Sequence, residues 1–320
     1  VRLDNGDIFG GGKGQAGDRY EMAFTANVGN TVVNINYPTT PSDTKVATSY
    51  KDNGSDEDCI AGSVYGGAED GHVYGSTNVT INNGMIGHAV YGGGKGKGEY
   101  EVDLRKRTTS LDKPVDSLDV PVYSMTAGKV YGNTNITMNN GYVVRNIFGG
   151  GNLGSVGKGN YAGGNDDYTY YAPNWVGGPG VHVGYGECLQ NEPLWTANGA
   201  FMTSGIATVT VLGGTVGTAT DTKDDLPTGN VFGGCRGIAV PNVPNTLQPR
   251  YLYCPEFYLG YVNETEVIIG KAATGTPDEE GYIPASGPTI YGSVYGGGQD
   301  GHVRREAKVT VYEGEIGNAY

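Results

Sequence analysis

Apolar residues fall on every second position through Thr77-Asn78-Val79-Thr80-Ile81-Asn82, which is the period of a strand with one buried face. The same T-x-V-x-I alternation, with substitution, begins again at Thr31, Thr134, Ala207, Thr265 and Ala307. Inward pairs are then Ile136 with Met138, Val209 with Val211, and Val309 with Val311. Between them Thr80, Thr137, Thr210 and Thr310 are expected to form one outward ladder. Each stretch runs into a corner (Asn83-Gly84, Asn140-Gly141, Gly213-Gly214 or Glu313-Gly314) built from residues that tolerate positive φ. A second strand is expected from Ile86 to Val90, and a third around Val73, Val130 or Val303.

A second element, [VI]-[FY]-G-G, alternates with the first and starts at Ile8, Val64, Val90, Ile147, Val231 and Val294. The whole stretch from Ile60 to Ile86 returns nearly intact from Ile290 to Ile316, sharing S-V-Y-G-G and D-G-H-V. Val64 and Val90 stand 26 residues apart (90 − 64). Three short strands and three bends fit that step, so the pattern predicts an all-β chain folded as a right-handed parallel β-helix. It would have three strands per turn and about six rungs, stacked about 4.8 Å apart. One rung cannot bury its own apolar face, so neighbours are obligatory. Both ends fall within the repeat, and residues 1–320 are expected to be a single β-helix segment of a longer chain.

Departures from the repeat are insertions expected at two corners. One set follows the glycines, at about 13–27, 95–126, 152–203 and 235–262; the other follows the alternating strand, at about 37–58, 218–229 and 271–288. Insertions at one register of successive rungs emerge side by side, so 95–126, 152–203 and 235–262 should form a lobe on one edge. Stretch 101–120 is charged and polar, whereas 161–201 and 251–261 are rich in Tyr and Trp. Tyr168, Tyr170, Tyr171, Trp175, Trp195, Tyr251, Tyr253 and Tyr258 are therefore the candidate ligand-contact residues, because flat amphipathic rings stack on sugars or pack on a partner. The competing reading makes the same rings a small core holding the insertions to the rod.

Composition narrows the classes. With 57 Gly but no strict every-third spacing the chain is not collagen, and no apolar run is long enough to span a bilayer. The 24 Tyr against 6 Phe suit strands and wet surfaces. A net charge of −13 repels phosphate backbones, which argues against nucleic acid as a partner.

Specific chemistry is sparse. Cys59, Cys188, Cys235 and Cys254 form no C-x-x-C pair; a Cys235–Cys254 disulfide would staple one insertion at its base, with free buried thiols as the alternative. His72 and His302 recur in D-G-H-V beside Asp70 and Asp300, where a turn explains them more simply than a metal site. The Gly-rich runs lack tandem nine-residue copies, so no cofactor is expected beyond incidental calcium at Asp166, Asp167, Asp224 or Asp225. Outward strand positions Asn78, Thr80, Asn82, Asn135, Thr137, Thr208, Thr210, Lys308 and Thr310 hold no carboxylate cluster of the kind glycoside hydrolysis uses. The chain is therefore read as a non-enzyme. The alternative is a polysaccharide-acting lyase or hydrolase, or its substrate-binding module, with its site in 152–203 and 235–262.

Recurring V-Y-G-G-G and T-x-V-T-I-x-x-G-x-I-G, with D-G-H-V between them, resemble the glycine-rich β-helix repeats of large surface or secreted proteins of Bacteroidota. They are similar, more broadly, to the adhesin-like passenger rods of bacterial autotransporters. The resemblance covers all 320 residues and implies an extracellular rod, adhesin or fibre-forming subunit that contacts a host or microbial glycan or a surface protein. It brings over no catalytic residues.

Overall fold

The computed structural model describes residues 6–14, 26–38, 59–96, 123–124, 127–158, 170–171, 204–218, 229–237 and 260–317. They form a parallel β-helix of six coils with no helix among them. Each coil contributes one strand to each of three six-stranded parallel sheets. The alternating T-x-V-x-I stretches make the long sheet, in the order Thr31–Asn36, Thr77–Asn83, Thr134–Met138, Ile206–Val211, Tyr261–Ile269 and His302–Val311. The [VI]-[FY] pairs make the aromatic sheet: Ile8–Phe9, Val64–Tyr65, Val90–Tyr91, Ile147–Phe148, Val231–Phe232 and Val294–Tyr295. Cys59–Ile60, Met85–Ile86, Tyr142–Val143, Thr215–Val216, Thr289–Ile290 and Glu315–Ile316 make the third. Counting each coil from its aromatic strand, coil 1 begins at Ile8 and coil 6 at Val294.

Two expectations about strands are corrected. The expected strand from Ile86 to Val90 is two strands, Met85–Ile86 and Val90–Tyr91, because Gly87-His88-Ala89 turns the chain between them. The expected third strand shrinks in its first four coils to single bridges, in a column running Val28, Val73, Val130, Val156 and Val262. The bridge column lengthens into strand at coils 5 and 6, where Val262 pairs with Val303.

Alternation within the strands separates core from surface. One inward cluster runs the length of the coils and joins Val33, Ile35, Val79, Ile81, Ile136, Met138, Val209, Val211, Val267 and Ile269 of the long sheet to Val64, Val90, Ile147 and Val231 of the aromatic sheet. Threonine at the start of the long strand locks this core. Thr31, Thr77, Thr134 and Thr265 are buried, and each Oγ1 donates to the carbonyl of Gly66, Gly92, Gly149 or Gly296, one coil on, at 2.5–2.7 Å. That close approach explains the first glycine of V-Y-G-G: a Cβ on Gly92 would be driven into the Gly149 carbonyl and crowd the Thr134 Cβ.

Outer positions are laddered as well. Phe9, Tyr65, Tyr91, Phe148, Phe232 and Tyr295 stack in one column, with neighbouring centroids 4.7–5.0 Å apart and ring planes within 8°. Tyr65, Tyr91, Phe148 and Phe232 are buried. Such a pair contributes about 0.5–1.5 kcal/mol beyond area burial. On the long sheet the Nδ2 of Asn82, Asn135, Asn139 and Asn140 donates to Oδ1 of Asn36, Asn78, Asn82 and Asn83 of the preceding coil, at 2.6–3.1 Å. The expected threonine ladder is interrupted, since Ile268 stands between Thr210 and Thr310.

Candidate contact surface

Insertions leave the coil through a common device at their stems. Gly96 and Gly128, Gly157 and Gly205, Gly217 and Gly229, and Gly237 and Gly260 form four pairs, all with φ between +65° and +104°. Within each pair the backbones touch so closely that a Cβ on one glycine would strike its partner's main chain. Positive φ turns the chain out of the coil and back, and the absent Cβ lets the two stems meet. Ordinary ladder bonds hold the stems down: Gly96 N–H donates to the Glu69 carbonyl, Gly128 to Asp70, Gly237 to Asn152 and Gly260 to Leu153, at 2.7–3.1 Å. Lys158 N–H donates to Ser204 Oγ at 3.2 Å, closing another stem.

Those stems redraw two expected boundaries. Residues 152–158 belong to coil 4, with Val156 in the bridge column, so the long insertion expected at 152–203 departs after Lys158, one corner later than its neighbours. Asn-Leu-Gly-Ser at 152–155 continues the coil because it matches Glu-Asp-Gly-His at 69–72 in register, with a glycine at the same bend. Likewise 235–237 and 260–262 are coil, and the excursion lies between them. Residues 271–288, expected as an insertion, are an exposed arm closed by antiparallel bridges Lys271–Ser286 and Thr274–Ile283.

Of the aromatic candidates, Tyr170 and Tyr171 are described as a strand. It pairs antiparallel with Tyr123–Ser124, Tyr170 opposite Ser124 and Tyr171 opposite Tyr123, and so ties the insertion after Gly96 to the one after Lys158. Tyr168, Trp175, Trp195, Tyr251, Tyr253, Tyr258 and Cys254 lie outside the described residues, as do Asp166, Asp167, Asp224 and Asp225. Cys235 is a free thiol turned into the coil, with Val156, Ala207 and Val262 around it and its Sγ 3.6 Å from the Gly154 carbonyl. Burial pushes this thiol up to about 12.

Charged groups gather beside the stems. Lys95 Nζ lies 3.6 Å from Asp7 and 3.5 Å from Glu69, and 5.8 Å from the Phe9 ring centre. Arg236 donates to Asn152 Oδ1 at 3.4 Å. Burial raises the Tyr65 and Tyr91 phenols, which keeps both hydroxyls protonated in the stack. In the D-G-H-V turns, His72 meets Tyr74 and Tyr131 edge-on, and His302 stacks on Tyr261 at 4.6 Å. These aromatic contacts are ones a packing histidine makes. Among the described residues no group of three His, Cys, Asp or Glu side chains is placed to hold a metal ion.

The outward strand positions, expected to hold no carboxylate cluster, do carry carboxylates. Glu264, Glu266 and Glu306 stand together there, on coils 5 and 6. The alternation Asn263-Glu264-Thr265-Glu266-Val267 carries the signal, since the glutamates occupy the polar phase of the strand. Arg305 pairs with Glu264 at 3.1 Å and Lys308 with Glu266 at 2.8 Å. The hydrogen bond and charge of Glu266 raise the Lys308 pKa. Paired in this way on an open sheet, the carboxylates read as a solvated charge ladder rather than an acid–base pair. No helix among the described residues is long and apolar enough to cross a membrane. The chain matches no protein-family model, no curated protein and no solved structure.

Proposed function

We propose that this chain is a length of rod from an adhesin-like surface or secreted bacterial protein. The aromatic insertions along one edge are its contact surface for a glycan or a protein partner. The observation that supports this reading is the clasped edge: coils 3, 4 and 5 each release an insertion through a glycine-pinned stem, and two of those insertions pair as strands. Clasped stems fix where the insertions leave the coils, which lowers the ordering cost of binding. The coils supply reach, with every rung hydrogen-bonded to the next in three sheets.

A glycan-array screen tests the reading, run on the chain and on a variant with Trp175, Trp195 and Tyr258 changed to Ala. Expected is binding to a defined glycan class that the variant loses while keeping its β-sheet circular dichroism. Undiminished binding by the folded variant removes the rings from the contact surface. An absence of binding by both, together with no captured protein partner, leaves the chain as scaffold.

A further inference from the structure

We infer that the outward face of the long sheet in coils 2 to 4 is a second binding surface, and that its ligand is an uncharged, extended polysaccharide lying along the rod. From Asn78 to Asn82 and from Asn135 to Asn139 the outward residues run Asn, Thr, Asn, and Thr208 and Thr210 continue them in coil 4. No charged side chain occurs in residues 77–83, 134–140 or 206–212. The column of Asn78, Asn135 and Thr208 becomes charged only beyond them, at Glu266 and Lys308. In a chain of net charge −13 this neutrality is local, and it gives an ionic partner nothing to pair with. The hydroxyl groups of a neutral polymer are matched instead, because amides and hydroxyls both donate and accept. Asn135 Nδ2 donates to Asn78 Oδ1 at 3.1 Å, and Asn139 Nδ2 to Asn82 Oδ1 at 2.7 Å. Each such bond uses one N–H and one lone pair, which leaves the amides a further donor and a further acceptor. The ladder also holds them in place before a ligand arrives, lowering the ordering cost. Coils repeat about every 4.8 Å, close to the rise of one sugar unit in an extended chain, so successive units meet successive coils.

A ring stands at the edge of this face. Tyr74 is 50% exposed, yet it is braced: the Tyr131 ring centre lies 5.3 Å away, His72 meets both rings edge-on, and Asn27 Nδ2 donates to the Tyr74 hydroxyl at 3.3 Å. A fixed, half-exposed ring just before the Asn78 strand is a stacking platform for the face of a sugar. Tyr74 and Tyr131 follow Val73 and Val130 of the bridge column, as Gly157 follows Val156. The same corner therefore leads to the Gly157–Gly205 stem, where the insertion after Lys158 departs, and the face is continuous with the contact surface proposed above. Its binding residues are its own, so it stands or falls apart from the insertions.

Co-sedimentation of the 320-residue chain with microcrystalline cellulose, chitin and insoluble mannan tests it, with calcium alginate as the anionic control. Expected is binding to at least one neutral polymer that high salt does not release. A Thr80→Lys, Thr137→Glu variant sets an opposite-charge pair on directly neighbouring positions of the face. That variant and Tyr74→Ala should each bind about tenfold more weakly or worse, with unchanged circular dichroism. The variant with Trp175, Trp195 and Tyr258 changed to Ala should still bind. Should the face variants misfold, hydroxyl-radical footprinting of the unaltered chain gives the second reading: oxidation of Tyr74 falls when the polymer is bound. Failure to bind every neutral polymer, release by salt, or undiminished binding by either folded face variant overturns the inference. Loss confined to the insertion variant overturns it too, and leaves the proposed function standing.

Discussion

Cys235 and Ala207 are exchanged sizes, and the exchange can be tested as a pair. Cys235 stands where the other coils carry Gly12, Ala68, Gly94, Gly151 and Gly298, so it is the bulkiest side chain in its column. Ala207 stands where Thr31, Thr77, Thr134 and Thr265 each bond a glycine carbonyl, and it lacks both the methyl and the hydroxyl. The two residues share one fully buried cluster with Val156 and Val262. Restoring threonine alone, by Ala207→Thr, adds two heavy atoms to a space without room and should cost about 1–3 kcal/mol. Removing the sulfur alone, by Cys235→Ala, leaves a small void worth about 1 kcal/mol. The double variant gives the threonine its space and lets its hydroxyl reach the Gly233 carbonyl, a bond worth about 0.5–1.5 kcal/mol. It should therefore lie close to the wild type, with a coupling of about 3 kcal/mol between the sites. Urea denaturation of the four proteins measures this, and hydrogen exchange at Val209 and Val267 localises it should the coils open in stages. Single effects that add to within about 0.5 kcal/mol would refute the size exchange.

Gly92→Ala should cost several kcal/mol and lower the melting temperature sharply, because its Cβ meets the Gly149 carbonyl, whereas alanine at Gly297, whose Cβ meets nothing within 4 Å, should be nearly silent. Phe148→Ala, in the middle of the aromatic column between Tyr91 and Phe232, should cost about 3–5 kcal/mol and weaken the near-ultraviolet circular dichroism. Burial against Tyr261 lowers the His302 imidazole from 6.5 to about 4. Its folded value lies below its unfolded one, so the contribution is complete above about pH 6.5 and is lost as pH falls toward 4. Allowing for the ring's partial exposure, the loss is of order 1–2 kcal/mol, and His302→Gln should flatten that part of the melting-temperature profile. The Cys235 thiol should resist a thiol reagent in the native chain and react once denaturant opens coils 4 and 5.

Periodicity carried most of the fold. Every alternating stretch and every [VI]-[FY]-G-G lies in the sheet its pattern demanded, because a strand's inward phase is visible wherever Val and Ile alternate with Asn and Thr. Strand length was less visible. Two-residue strands such as Met85–Ile86 and Val90–Tyr91 contain too few positions to show a period, so the corner at Gly87 was read through. The ring column from Phe9 to Tyr295 was not anticipated either. A single outward Tyr in a short strand looks like surface, and it becomes buried when six coils align it. The stem glycines were present in the sequence, but the pairing of Gly157 with Gly205 depends on contact between residues far apart in the chain. Of the proposed contact surface, the sequence supplied the ring-rich composition of the insertions, and the structure supplied their exit points.

Inter-coil hydrogen bonds in this fold run along the rod, so tension between the two ends would load them in peeling geometry, one coil at a time. Each released coil changes an advance of about 4.8 Å into its full contour length. From Val64 to Val90 that is 26 residues (90 − 64), or roughly 90 Å when extended. From Val231 to Val294 it is 63 residues (294 − 231), or roughly 215 Å. A chain pulled this way lengthens in unequal steps whose sizes are set by the insertions. A force–extension trace would then read the order of the coils as a mechanical barcode, and the same unequal steps would let a tethered rod absorb a sudden load without losing every rung.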